Sequence, residues 1–183
     1  MITNHIFFRR RRAVLIALLL LMPILSSCLI GNSPDTSAVL SEMQKTAGDL
    51  PAGNTYTTKS TPGAPDHLSE SLLTALYGTN GYPEVFGRAE SISLWISSGL
   101  HACEFAVFLC SNRRDTEEIA DLCLGRIDTM QHFVNANSAK LSLEEASSAN
   151  LKEATVAVVG RYVIMAVSSD AKSAVSAAKE MIS

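Results

Sequence analysis

Cysteine, proline, glycine and aromatic residues are all scarce in this chain of 183 residues. Four Cys are too few for a disulfide-dense miniprotein, and ten Gly with six Pro exclude a collagen-like repeat. Aromatics make up only 6%, with a single Trp, yet apolar residues reach 47%, which excludes a wholly disordered chain. No apolar run reaches the roughly 20 residues of a membrane-spanning helix. The longest, Ala13 to Leu25, has thirteen residues and contains Pro23. An excess of positive charge is missing too. The whole chain carries −3, but Arg9, Arg10, Arg11 and Arg12 sit in an N-terminal segment without acids. Without them 11 basic residues face 18 acidic ones, a net of −7. A domain of that sign is a poor binder of nucleic acid or other polyanions.

What is present begins with an address. Four arginines, then an apolar stretch of signal-peptide length, match a secretory signal held by its basic end on the cytoplasmic side. The twin-arginine context is incomplete, so general secretion is expected. The stretch ends Leu25-Ser26-Ser27-Cys28, which resembles the lipobox of bacterial lipoproteins. The resemblance implies cleavage between Ser27 and Cys28 and a covalent diacylglyceryl group on the Cys28 thiol. Two acyl chains anchor stably where one is marginal. The expected location is the extracytoplasmic face of the cell membrane. The competing readings are an ordinary secretory signal followed by a chance Cys, and an uncleaved membrane anchor.

The expected organisation is a signal peptide at 1–27 and a lipidated tether at 28–35. A helix and linker at 36–66 and a domain at 67–183 follow. Thr36 to Ala47 has Val39, Leu40, Met43 and Ala47 on one helical face, with Asp35 or Thr36 as N-cap. Residues 49–66 hold three Pro, two Gly and five Thr or Ser, and read as a linker or long surface loop. Extended, that segment would reach about 60 Å. Ser69 to Tyr77 is expected to be a helix stopped by Gly78. Ser91–Ser97 alternates as a strand, and Cys103–Cys110 forms a second. Asp115 then opens a long helix, with Glu118 at capping-box spacing and an apolar stripe through Ile119, Leu122, Cys123, Ile127, Met130 and Val134. Residues 135–153 are polar, with one helical turn expected at Leu143–Ala146. Thr155–Val159 and Tyr162–Val167 form a hairpin about Gly160-Arg161, before a last helix capped by Ser169 or Asp170. The predicted fold class is α+β. An antiparallel-rich sheet is built from two ββα units, with helices packed on one face and short N-terminal helices before it.

Several runs carry a resemblance to a known family. They are Leu76-Tyr77-Gly78, Glu104-Phe105-Ala106-Val107-Phe108, Arg126-Ile127 with Gln131 and Phe133, Val158 to Val163, and Ser168-Ser169-Asp170. Together they resemble the domain of unknown function four-three-five-eight, found mostly in lipoproteins of Gram-positive anaerobes. The resemblance covers about residues 36–182. It implies a surface-anchored α+β domain and assigns no catalytic residue.

Candidate chemistry is sparse. Cys103 and Cys110 point to opposite faces of one strand, so free buried thiols are expected, with a Cys110–Cys123 disulfide as the alternative. His101 and Cys103 lack the further ligands that zinc needs, and no metal or other cofactor is expected. Gly-x-Ser-x-Gly, phosphate-binding glycine patterns and the full β-lactamase motif set are absent. Arg113-Arg114 reads as a solvated turn. If helices covered only the Ile92, Leu94 and Ile96 side, Trp95 and Phe108 would form an exposed binding face for a protein or ligand. The alternative is that an N-terminal helix covers that face. The sequence therefore points to a non-enzymatic envelope lipoprotein that binds a partner or serves a structural role. An enzyme with a dispersed site and a small substrate-capturing accessory of a transporter are the competing classes.

Overall fold

The structure is a computed structural model, and it describes residues 33–99, 101–141 and 145–183. The expected signal peptide, the Ser27–Cys28 cleavage position and most of the tether lie outside the described residues. The compact unit runs from Pro34 to Ser183.

In chain order the unit contains α1 (Thr36–Thr46), β1 (Gly53–Thr57), α2 (Glu70–Tyr77), a short 3-10 helix (Glu84–Arg88) and β2 (Ala89–Ser97). Then come β3 (Glu104–Cys110), α3 (Asp115–Leu141), α4 (Glu145–Glu153), β4 (Thr155–Val159), β5 (Tyr162–Val167) and α5 (Ala171–Ile182). The five strands form one sheet in the order β1-β2-β3-β5-β4, and every neighbouring pair is antiparallel. The fold is mixed α and β around an antiparallel sheet.

The sheet is covered on both faces, which corrects the expectation of helices on one face only. In an antiparallel sheet, residues directly opposite each other share a face. Ser91, Ser93 and Trp95 therefore stand beside Leu109, Val107 and Phe105, and that face continues into Tyr162, Ile164 and Ala166 of β5. Val39, Leu40 and Met43 of α1 and Ala171, Ala174, Val175 and Ala178 of α5 seal it. The other face carries Ile92, Leu94, Ala106, Phe108, Val163 and Met165 under Leu73 and Tyr77 of α2, Val85 and Phe86, and Ile119 and Cys123 of α3. The two apolar faces of β3 require this double cover, because each seals only what it touches.

The approach of α1 follows from the serines. Ser91 and Ser93 are small and stand where a larger side chain would hold the helix away. Thr36 Oγ1 lies 3.2 Å from Ser91 Oγ and 2.9 Å from Ser93 Oγ, and Ser37 Oγ lies 3.0 Å from Ser93 Oγ. The helix start is fixed by Asp35, whose carboxylate accepts from the Ser37 amide at 2.8 Å. Tyr162 closes the corner by donating to the Pro34 carbonyl.

Other local expectations shift for identifiable reasons. The expected linker at 49–66 contains β1, which pairs along its length with β2, so no 60 Å tether exists within the unit. Gly53 is what lets β1 in. The Trp95 indole lies against it, and an added Cβ would come 2.5 Å from two ring carbons. The expected capping box does not close. Asp115 and Glu118 instead receive Arg88 at 3.1 and 3.0 Å, tying the 3-10 helix to α3. The polar stretch after Asn135 is helical well beyond one turn. There α4 clamps a neighbouring loop, with Ser147 accepting from the Ala102 amide and Asn150 donating to the Ala102 carbonyl. The β4–β5 hairpin turns at Gly160 with φ +59°, the left-handed conformation that the first position of a two-residue hairpin loop demands. The last helix starts at Ala171 with Asp170 in the cap position, but its side chain caps no amide.

Gly53→Ala should destabilise the protein by about 1–3 kcal/mol through overpacking against Trp95. The shift of the urea midpoint relative to the parent protein measures it. An unchanged midpoint would mean that β1 does not depend on this close approach.

Candidate functional site

The proposed aromatic binding face does not form. Trp95 stands opposite Phe105, and Phe108 stands opposite Ile92, so the two lie on opposite faces of the sheet. Both are buried, Trp95 beneath α1 and Phe108 beneath α2 and the 3-10 helix. The alternation within each strand was correct, but the phase between strands was not. The loop that joins β2 to β3 sets that phase.

The three cysteines of the unit are free and buried, and Cys110 does not pair with Cys123. Burial is the main cause that pushes the Cys103 and Cys110 thiols up from an ordinary 9.0 to about 11. The neighbouring Glu104 carboxylate adds to this for Cys103, as Asp115 does for Cys110. Such thiols stay protonated and unreactive near neutral pH. Among the described residues no group of three or more His, Cys, Asp or Glu could share a metal ion. Arg113 and Arg114 are exposed at the start of α3.

The structure assembles a site elsewhere. Glu104 opens β3 in phase with Ala106 and Phe108, so its carboxylate points into the α2–α3 side of the core and is 1% exposed. Arg126 of α3 reaches it, with Nε 3.1 Å and Nη2 2.8 Å from Oε2. The Tyr77 hydroxyl at the end of α2 donates to Oε1 at 3.1 Å. Three elements thus meet at one carboxylate.

Aromatic packing aims the tyrosine. Its ring meets Phe86 edge-on at 5.4 Å and Phe108 edge-on at 5.8 Å, while those two rings stack at 5.6 Å. Burial, reinforced by the charge of Glu104, raises the Tyr77 phenol well above its ordinary value, so it remains a donor. Burial alone would weaken protonation of Arg126. The adjacent carboxylate outweighs this and raises it, so the guanidinium stays charged.

Two cavities flank Arg126. One of about 280 Å³ is lined by Ala102, Thr129, Met130, Phe133 and Val134. The other, of about 350 Å³, lies between the end of α2 and α3, with Glu118, Asp121 and Gly125 on its wall. Arg126 lines both, and its Nη1 has no hydrogen-bond partner among the described residues. Both oxygens of Glu104 are engaged, so the carboxylate is poorly placed to act as a general base. The arrangement can hold elements together and offer an N–H donor to a ligand acceptor.

Glu104 and Arg126 were not singled out together as a site from the sequence. The available signal was a carboxylate in phase with an apolar strand face, together with an Arg on the side of α3 that also carries Cys123 and Met130. The spacing of 22 residues between them gives no hint of contact. Comparison with family models, curated proteins and solved structures finds no match to this chain.

Arg126→Ala should cost about 3–5 kcal/mol of stability, because it leaves a buried carboxylate unpaired. The combined replacement Glu104→Leu with Arg126→Met and Tyr77→Phe, which leaves neither the carboxylate nor the Tyr77 hydroxyl unpaired, should recover most of that loss. Chemical denaturation of both variants decides the point, and a single-variant loss below about 1 kcal/mol would mean that water reaches Glu104. The thiols set a separate alkaline limit. The unfolded chain releases their protons near pH 9, while the folded chain holds them to about 11, so stability should fall as pH rises through that window. Denaturation midpoints between pH 8 and 11 should fall less steeply for Cys103→Ala with Cys110→Ala than for the parent.

Proposed function

We propose that this chain is a membrane-anchored extracytoplasmic lipoprotein whose α and β unit is a binding or structural module of the cell envelope. The observation that carries the reading is the sequence Leu25-Ser26-Ser27-Cys28 at the end of a thirteen-residue apolar run that follows four arginines. The membrane is then the first partner, through lipid on Cys28, and an envelope protein or ligand is the second. Between Cys28 and the start of the compact unit at Pro34 lie five residues, Leu29 to Ser33. Their greatest reach is about 17 Å. Anchoring of this kind raises the effective concentration of the module toward anything near the bilayer.

Binding is favoured over catalysis because the buried carboxylate is engaged on both oxygens, while the neighbouring guanidinium keeps a donor group at the cavity walls. Among the described residues no helix is long and apolar enough to cross a membrane. Membership of the domain of unknown function four-three-five-eight belongs to the same proposal and rests on the residue runs quoted above. So does the reading of the two strand–strand–helix successions, β2-β3-α3 and β4-β5-α5, as two ββα units.

Cys28→Ala should abolish incorporation of labelled palmitate and move the protein from the membrane fraction to the soluble fraction. Labelling that persists in the variant would refute the anchor.

A further inference from the structure

The sheet has two edges, and they are treated differently. The outer side of β1 is engaged at its end by residues 57–68 of the same chain. Thr57 donates its amide to the Asp66 carbonyl and accepts from the Leu68 amide. At the other end of the sheet, β4 pairs only with β5 among the described residues.

The hairpin fixes which backbone groups of β4 are free. Val159 and Tyr162 flank a two-residue loop and form its closing hydrogen-bonded pair. Alternation then turns the amides and carbonyls of Val159, Ala157 and Thr155 toward β5, and those of Val156 and Val158 outward. No hydrogen bond to the outward groups occurs among the described residues. The strand reads Thr-Val-Ala-Val-Val, with no charge and no proline, and its register against β5 runs without a bulge. Bare edges of this composition are templates for another strand, and proteins ordinarily protect them. The Val158 side chain is 47% exposed.

We propose that β4 is the pairing edge of a homodimer, in which the β4 strands of two copies lie antiparallel about a two-fold axis at Ala157. A strand edge is complementary to itself under that symmetry. With Ala157 facing its own counterpart, Val156 of one copy faces Val158 of the other. These are the residues whose backbone groups point outward, so each such pair exchanges two hydrogen bonds. The same register sets the exposed Val158 side chain beside Val156 of the second copy, a β-branched pair that favours strands. Just beyond the strand it brings Glu153, which pairs with Lys172 of its own copy, opposite Arg161, which pairs with Glu90, so no like charges are forced together across the axis.

The test uses the full chain purified in mild detergent. Light scattering should give a protein mass of two copies, and a mass of one copy at tens of micromolar overturns the proposal. Register is tested by oxidative crosslinking. Ala157→Cys lies on the axis at a non-hydrogen-bonded position, where Cα atoms come within about 4.5 Å and a disulfide can form. It should give a dimer band on a non-reducing gel at least ten times stronger than Thr155→Cys, which faces Val159 instead. Equal bands would mean random collision and would overturn the register. Val158→Pro removes an outward amide and leaves the pairing with β5 intact, so it should abolish the Ala157→Cys band and give a one-copy mass. Its circular dichroism should match the parent. A folded Val158→Pro variant that still scatters as two copies would refute the β4 edge as the interface.

Discussion

Everything in this fold follows from burying β3 on both faces. All seven of its residues are buried, as are all six of β5 beside it. A strand in that position needs a hydrogen-bonded neighbour on each side and an apolar layer above and below. The neighbours are β2 and β5. The layers divide the helices into α1 with α5 on one face and α2 with α3 on the other. Hydrophobic burial at about 25 cal/mol per Å² makes this the dominant favourable contribution, and it leaves no room for an exposed aromatic face on the central strands.

Two polar groups caught inside these layers are handled differently. On the α1 face, Ser91 and Ser93 meet Thr36 and Ser37 through short hydroxyl contacts, so a helix can sit close to the sheet without stranded donors. On the α3 face, Glu104 is held by Arg126 and Tyr77, so a charge is neutralised where it lies. Such pairs add little net stability compared with apolar packing, but removing one partner is expensive. The pair therefore locks α2, α3 and β3 into one arrangement. It also sets a charged group with spare donors at the wall of two cavities.

The proposed anchoring and the proposed edge pairing use separate parts of the chain. The lipobox-like run ends at Cys28, and β4 begins more than 120 residues later. On the proposed lipid anchor, a module tethered by a few residues would explore a shallow layer beside the bilayer. Confinement of that kind raises the chance that two copies meet, which favours even a modest strand-to-strand contact.

The sequence by itself determined the mixed α and β class and most elements of the compact unit to within two residues. Apolar spacing is a local property: Val39, Leu40 and Met43 announce a helix face, and Ile92, Leu94 and Ile96 announce a strand face. The strand at Gly53–Thr57 escaped because Asn, Thr and Tyr in a Pro- and Gly-rich stretch carry no apolar alternation. Only the tertiary structure decided which strand faces share a layer, since one residue of register exchanges every side chain between the two faces. That step placed Trp95 and Phe108 on opposite faces. It also brought Glu104, Arg126 and Tyr77 together from positions far apart in the chain, because contact between them depends on how the packed layers meet and on nothing local to any of the three.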